Sequence, residues 1–433
     1  MASLRVAPIA QHILGDDASN SCHRIRCDRS FPIMRDSSLR SVAHRPVFAC
    51  LLLGMLASCT GGEDGPTLPC PQGMRTVWLD RLNNVGECEV VTPLSDGRSP
   101  RSGLEQAFPA MNRPTGALTT PERIELGRLL FFDPLLSGDN TVACASCHHP
   151  SFGFTDNRAV STGIRGQKGG RSAPTIWNAA WNNEQFWDGR AKTLEDQAKG
   201  PIANPIEMDQ DPKLLITELR AIPEYTRRFD EAFRGSGGSA VTLDNIASAI
   251  AAFERSIATV NSPFDRYAAG DRSAMNDSAV RGLNLFRSVS TRCFECHEIP
   301  TFAMKEYKVL GVPSSGDPTK LDDDRGRAAI SPGASVERAF RVPTLRNVAK
   351  TGPYMHNGSL KTLGDVLDFY SQGGGAGRGY PLSNVDDKIR KFDMTPDEKA
   401  DLISFMEALT DESLRPEIPA KVPSGLPVPQ GPL

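Results

Sequence analysis

Cys144-Ala-Ser-Cys147-His148 and Cys293-Phe-Glu-Cys296-His297 are the two places in this chain where residue type and spacing together dictate a chemistry. Two thiols separated by two residues can each form a thioether with a vinyl group of one porphyrin. The histidine that follows then lies under the iron as its proximal ligand. The chain holds 10 Cys and 7 His in 433 residues. At those frequencies roughly 0.004 such pentads are expected by chance, so two copies are a signal. A zinc site needs four ligands; the two CxxC pairs could supply one Cys₄ site, but both adjacent histidines would then have no task. A thioredoxin-like CxxC needs a βαβ setting, and β-patterning is scarce here. The pentads predict two covalently bound c-type haems, attached at Cys144, Cys147, Cys293 and Cys296, with His148 and His297 on the irons.

The remaining histidines limit what can close those irons. Beyond the first hundred residues the sequence offers only His148, His149, His297 and His356. Two are proximal ligands, and His149 abuts His148 and cannot easily reach the opposite face of the same ring. His356 is the one candidate distal imidazole. At least one iron must therefore use Met, Tyr or water, or stay open. An open haem iron points to peroxide or oxygen chemistry rather than simple electron carriage.

The elements that must position these groups read as helices. Thr120-Pro121-Glu122 starts one, with Pro at an early helical position and Ile124, Leu126, Leu129 and Leu130 as its apolar residues. Leu194–Lys199, Pro212–Ile222 and Leu243–Val260 have helical periodicity. Ile246, Ala249, Ile250, Phe253 and Ile257 form one stripe of the last. Ala279–Phe286 precedes the second pentad as the first helix precedes the first. Gly127-Arg-Leu-Leu-Phe131 and Gly282-Leu-Asn-Leu-Phe286 hint at a repeat. Thr395-Pro-Asp-Glu398 is a capping box before a last amphipathic helix. The expected fold is mainly α, with two cytochrome c-like haem domains packed together and long Gly/Pro-rich loops.

The amino terminus reads as an address. Arg35, Arg40 and Arg45 precede a short apolar run, Val47 to Leu56, which ends in Leu56-Ala57-Ser58-Cys59. That pattern predicts a signal peptide with Cys59 as a lipidated first residue, hence a periplasmic protein anchored to a membrane. Residues 1–33 lie upstream of the signal, and Met34 is a second candidate start. In an oxidising compartment Cys70 and Cys88 are expected to pair; the alternative is two free buried thiols. The net charge of −3 gives no sign of a nucleic-acid partner. The expected organisation is 1–58 upstream segment and signal; 59–110 tether and irregular extension; 111–265 first haem domain; 266–415 second haem domain, with the boundary near Ser262–Asp277; and 416–433 a Pro-rich extended tail.

From about 120 to 412 the chain resembles the bacterial di-haem cytochrome c peroxidase family, which includes MauG. The resemblance rests on both pentads, Ala173-Pro-Thr175, Gln185-Phe-Trp-Asp-Gly-Arg190, Gly200-Pro201, Asn204-Pro-Ile-Glu-Met208, Val342-Pro-Thr-Leu-Arg-Asn-Val348 and Gly352-Pro-Tyr-Met-His356-Asn-Gly358. It implies a peroxidatic first haem and an electron-transfer second haem. Glu207 matches the family's catalytic carboxylate, Gln197 and Pro201 match distal-pocket positions, and Trp187 matches the tryptophan between the haems. Ile164 stands where many peroxidases place a distal histidine and cannot ligate iron, which implies a first haem open without reductive activation. Tyr370 stands where the second haem's sixth ligand is usually Met and where MauG has Tyr; Met355 and Met304 compete for that role. A calcium between the haems is implied at Ser172, Thr351 and Pro353, although Ser172 replaces the usual Asn. The implied activity is reduction of hydrogen peroxide with electrons from a small periplasmic cytochrome c or cupredoxin. One alternative is a MauG-like oxidation of residues in a partner protein. Another is a non-catalytic di-haem electron conduit or redox sensor.

Overall fold

Thr120 ends an extended segment and its hydroxyl accepts the Arg123 N–H at 3.4 Å, so the chain turns helical where a proline can occupy the first position. This is the start of α1 (Pro121–Phe131) in the computed structural model of the chain, which describes residues 68–81 and 84–432. The signal-like segment 35–58 and Cys59 lie outside the described residues. Everything below belongs to the unit Asp64–Leu433.

Two strands precede α1. β1 (Met74–Asp80) and β2 (Val85–Val90) form an antiparallel hairpin with Thr76 opposite Cys88. This corrects the expectation of an irregular 67–110. The strands are short and their alternation is broken by Gly86 and by a bulge between Trp78 and Asp80, so the two-residue period is faint. A disulfide joins Cys70 to Cys88, tying the hairpin to the segment before it.

The remaining elements are α2 (Cys144–Cys147), α3 (Leu194–Ala203), α4 (Pro212–Ala221), α5 (Pro223–Phe233), α6 (Leu243–Ser256), α7 (Pro263–Ala268), α8 (Asp277–Phe286), a short pair β3 (Tyr307–Val309) and β4 (Ala339–Arg341), α9 (Leu363–Ser371), α10 (Gly374–Gly377) and α11 (Pro396–Glu407). The fold is mainly α, and the helices carry their own start signals. Thr193, Thr242, Thr362 and Thr395 each accept an N–H three residues on. Helix α6 stops at Ser256 rather than running to Val260. Thr259 N–H is taken by Asn178 Oδ1 at 2.6 Å, and Val260 and Asn261 N–H by Asp411 Oδ2. These acceptors draw residues 257–261 out of the helix. Among the described residues no helix is long and apolar enough to cross a membrane.

The hint of a repeat becomes a geometric fact. In the first half α1 packs on α6, with Gly127 against the Ala249 carbonyl and Phe131 5.2 Å from Phe253. In the second half α8 packs on α11, with Gly282 against the Asp401 carbonyl and Phe286 5.1 Å from Phe405. Asn178 and Asn347 share the left-handed conformation, and each exchanges two hydrogen bonds with a main chain, Thr259 and Asp411 respectively. Two large apolar cores follow, one on α1 and α3–α6, the other on α7, α8, α9 and α11.

The tail from 416 is extended but not loose. Val422 and Val428 are buried in the first core, and Ser424 Oγ donates to Asp133 at 2.7 Å.

The glycine crossing gives the first prediction. A Cβ at Gly282 would lie 1.9 Å from the Asp401 carbonyl oxygen, so Gly282→Ala must part α8 from α11. We expect a loss of about 1–3 kcal/mol, read as a lower thermal midpoint. Gly103→Ala, whose new methyl meets nothing within 4 Å, leaves the midpoint unchanged.

Candidate active site

Each pentad opens into a cavity. The first, of about 1740 Å³ including space open to solvent, is lined by Cys144, Cys147, His148, Gln197, Pro201, Glu207 and Glu254. The second, of about 1830 Å³ on the same measure, is lined by Cys293, Cys296, His297, Met355, Tyr370 and Met406. Both have room for a macrocycle rather than a single ion. Trp187, Ser172 and Arg341 line both, so they form a common wall.

The two pentad histidines are held in the same way. His148 Nδ1 lies 3.2 Å from the Phe154 carbonyl and His297 Nδ1 2.9 Å from the Phe302 carbonyl. That contact fixes the tautomer with the proton on Nδ1 and leaves Nε2 as a donor for iron. Phe154 (φ 58°) and Phe302 (φ 52°) both occupy the left-handed region, a costly conformation for a bulky residue. Burial holds both imidazoles below their ordinary pKa, so both are neutral, as metal ligation requires.

None of the four pentad cysteines is in a disulfide. Burial pushes all of them up, Cys293 to about 11 and Cys147 to about 12. Two thiols and a histidine at the edge of each large cavity suit thioether attachment and ligation of a haem. The residues present therefore fit haem in both cavities.

The distal sides differ. Thr193 caps α3 and Thr362 caps α9. Counted from these caps, Pro201 and Tyr370 occupy the same position of the repeat. The second cavity receives a phenol, which burial pushes up, and the first receives a ring with no donor atom. Met355 also lines the second cavity, whereas Met304 does not. Gln197 lies one turn before Pro201 on α3. Glu207 follows α3 in a turn in which Asn204 Nδ2 donates to its Oε1 at 2.8 Å. Burial raises the Glu207 carboxyl, opposed by the Arg190 charge and the Asn204 hydrogen bond. Ile164 is fully buried, and its N–H donates to the Glu207 carbonyl at 2.8 Å.

His356 does not serve as a spare imidazole. Its Nε2 pairs with Asp322 Oδ1 at 3.0 Å and its ring stacks 3.6 Å from Phe340, so it is committed to the wall. His149 lines neither cavity; its Nδ1 accepts the Ser151 N–H. Trp187 Nε1 donates to the Ser172 carbonyl at 2.9 Å.

Ser172, Thr351 and Pro353 all line the second cavity. Ser172 Oγ donates to the Arg158 carbonyl and Thr351 Oγ1 to that of Val348. These three bring no carboxylate, and among the described residues no group of three or more His, Cys, Asp and Glu could hold a metal. Calcium takes six to eight oxygens, so these donors alone do not make a calcium shell.

Three residues of the site escaped the sequence reading. Arg190 acts on Glu207. Arg341 is buried in the common wall, donates to Asn182 Oδ1 at 2.9 Å, and is pushed down to about 10 by burial. Glu254, on α6, is 4 % exposed and faces the first cavity. Arg190 sits inside a motif and could have been found; Arg341 and Glu254 carry no local signal.

A family model described as di-haem cytochrome c peroxidase matches residues 121–273. The chain is 38 % identical over 305 residues to a cytochrome c551 peroxidase of Pseudomonas aeruginosa, covering 70 % of this chain and 83 % of that one. It is 36 % identical over 295 residues to the methylamine utilization protein MauG of Methylorubrum extorquens, covering 68 % and 79 %. The crystal structure of a MauG-like protein associated with microbial copper homeostasis superposes with a TM-score of 0.65 at 33 % identity, covering 72 % of this chain and 96 % of that one.

Proposed function

The chain belongs to the di-haem cytochrome c peroxidase family, and from that premise we propose that it reduces hydrogen peroxide at an open first haem fed with electrons through the second. As a family member it is a peroxidase-type oxidoreductase with haem cofactors. In our reading both haems are c-type, attached at Cys144 and Cys147 in a domain 111–265 and at Cys293 and Cys296 in a domain 266–415. The observation that carries the reading is the asymmetry of the repeat: Tyr370 faces the second cavity from the position at which Pro201 faces the first.

When bound, the haems supply peroxide O–O cleavage and store its oxidising equivalents. The protein's own share is proton handling and positioning. Glu207 takes the proton from one peroxide oxygen and returns it to the other, the work of a general acid–base group with a raised pKa. Gln197 offers an amide to the same cavity, and Pro201 keeps the distal side free of a ligand. Trp187 spans the wall between the cavities and relays electrons. Export and a lipid anchor at Cys59 place the enzyme in the periplasm, where a small cytochrome c or cupredoxin donates. The test is a haem count and steady-state turnover. We expect two haems per chain and peroxide-dependent oxidation of a reduced small c-type cytochrome; a protein with haem at one pentad, or with no turnover, overturns the reading.

Tyr370 favours a second reading. A phenolate is a hard anionic donor and stabilises ferric and higher states, whereas Met raises the potential. Such a pair could store two oxidising equivalents and spend them on residues of a partner protein, as a MauG-like enzyme would. Tyr370→Phe should convert the low-spin second haem to another spin state or ligand set in the absorption and EPR spectra. An unchanged low-spin spectrum eliminates Tyr370 as the ligand.

A further inference from the structure

Among the described residues, four of the eight buried side-chain polar atoms without a hydrogen-bond partner belong to one cluster: Glu195 Oε2, Glu254 Oε2, and Arg255 Nε and Nη1. Arg255 Nη2 donates to Glu195 Oε1 at 2.7 Å, which joins α6 to α3. The idle atoms remain. Burying a polar group without a partner is costly, and such a group needs a reason.

Glu254 is the member that faces the first cavity, beside Cys144. The repeat shows that the fold does not require a carboxyl there. Phe253-Glu254 on α6 corresponds to Phe405-Met406 on α11, and Met406 lines the second cavity from the same place. One half fills the position with an apolar side chain and the other with an acid.

We propose that Glu254 is a redox-linked proton site of the first haem, taking up a proton when that iron is reduced and releasing it when the iron is oxidised. This rests on the reading of the first cavity as a haem site. Reduction brings one electron from the donor and one proton from solvent, the latter converting the carboxylate to the acid; oxidation returns both. Charge at the metal and charge at the carboxyl then change together, so the buried site never carries an uncompensated step. Peroxide reduction consumes two electrons and two protons, so a store beside the cavity has a use. Glu195, whose side chain is 12 % exposed, lies on the solvent side of Arg255 and is held by it.

The groups that act on Glu254 are known from each neighbouring element. Beside it on α6 is Arg255, which opposes protonation, and from α3 comes Glu195, which favours it. The pentad segment contributes Cys144. On α1, Glu125 and Arg128 pair with each other, and Glu122 and Arg123 lie at its start; on β2, Glu87 pairs with Arg113 and Glu89 with Arg75. Burial outweighs the Arg255 charge and raises the carboxyl to about 8, so the acid form is available at neutral pH. Glu254 acts as a positioning residue for protons and does not touch peroxide.

The experiment is a spectroelectrochemical titration of the holoprotein's first haem across the pH range, in wild type, Glu254→Gln, Glu254→Met and Glu207→Gln. The haem count is made first; a first pentad without haem overturns the underlying reading and is recognised before any titration. In wild type the reduction equilibrium should weaken about tenfold per pH unit over a window, the signature of one proton per electron. Glu254→Gln and Glu254→Met should flatten that window while Glu207→Gln retains it. A reduced-minus-oxidised infrared spectrum of wild type should show a protonated-carboxyl band, absent in Glu254→Gln, and this reading stands even if the methionine variant misfolds. A slope that persists in both Glu254 variants, or that is lost in Glu207→Gln instead, overturns the proposal.

Discussion

Glu207→Gln lowers kcat/KM for peroxide by about 10²–10⁴-fold, the usual share of a positioned acid–base group, while the haem count and the first haem's ferric spectrum stay as in wild type. The amide keeps the volume and still meets Asn204, whose Nδ2 donates to the carboxyl in the native turn. What it loses is the capacity to accept a proton. The sign of the pH dependence follows. Burial raises the Glu207 carboxyl above its ordinary 4.5. The working form is the carboxylate, so below the raised pKa the group is protonated and the rate falls as pH falls. The acid limb of the wild-type profile therefore lies above the ordinary carboxylate range and moves towards neutrality. The glutamine variant lacks that limb. Arg190→Leu should shift the limb further up, because the Arg190 charge is the first influence opposing burial at Glu207. A Glu207→Gln enzyme with wild-type kcat/KM sinks the assignment.

What the sequence made legible follows from how local each signal is. The pentads carry their meaning within five residues. The helix starts at Thr120 and Thr395 are local too, since a cap is a contact between neighbours. The hairpin β1–β2 was missed because its pairing crosses a turn and its alternation is broken by Gly86 and a bulge. Helix α5 was missed because it begins at Pro223 directly after α4 ends at Ala221, so a sequence reading sees a break. The early stop of α6 depends on Asn178 and Asp411, far away in the chain. Glu254 and Arg341 belong to the same class: their roles come from which cavity they face, and only the packing of α6 against α3 or of β4 against the Trp187 loop decides that. The repeat needed both kinds of information. Its glycines and phenylalanines were visible in order, but the match of Pro201 with Tyr370 emerges only when α3 and α9 are counted from their caps.

That match yields the second large effect. Fully ferric protein mixed with one equivalent of hydrogen peroxide, with no reductant present, should lose its high-spin ferric absorption within the mixing phase of a stopped-flow experiment. The argument is by the donors available to the first iron. His148 is proximal. His149 lines neither cavity, and His356 is bound to Asp322 and stacked on Phe340. Ile164 has no donor atom, is packed in the first core, and its N–H is tied to the Glu207 carbonyl. Pro201 has none at the place where the second half offers Tyr370. Glu207 is engaged by Asn204 and handles protons in the proposed mechanism. Met208 also lines this cavity, but its side chain is packed into the first core. Closure of this iron by one of these side chains would require such a contact to break, and the loop holding Ile164 is pinned in addition by Gln167 Nε2 donating to the Pro205 carbonyl at 2.9 Å. An enzyme that needs prior reduction must instead open a closed iron, so its ferric form ignores peroxide until one electron is added. The two designs differ in an all-or-none way in the first spectrum after mixing. Silence before reduction, with prompt reaction after it, would mean that a side chain, Met208 or one carried by a rearranged 161–170 loop, reaches this iron, and the first haem would then be a reductively activated centre.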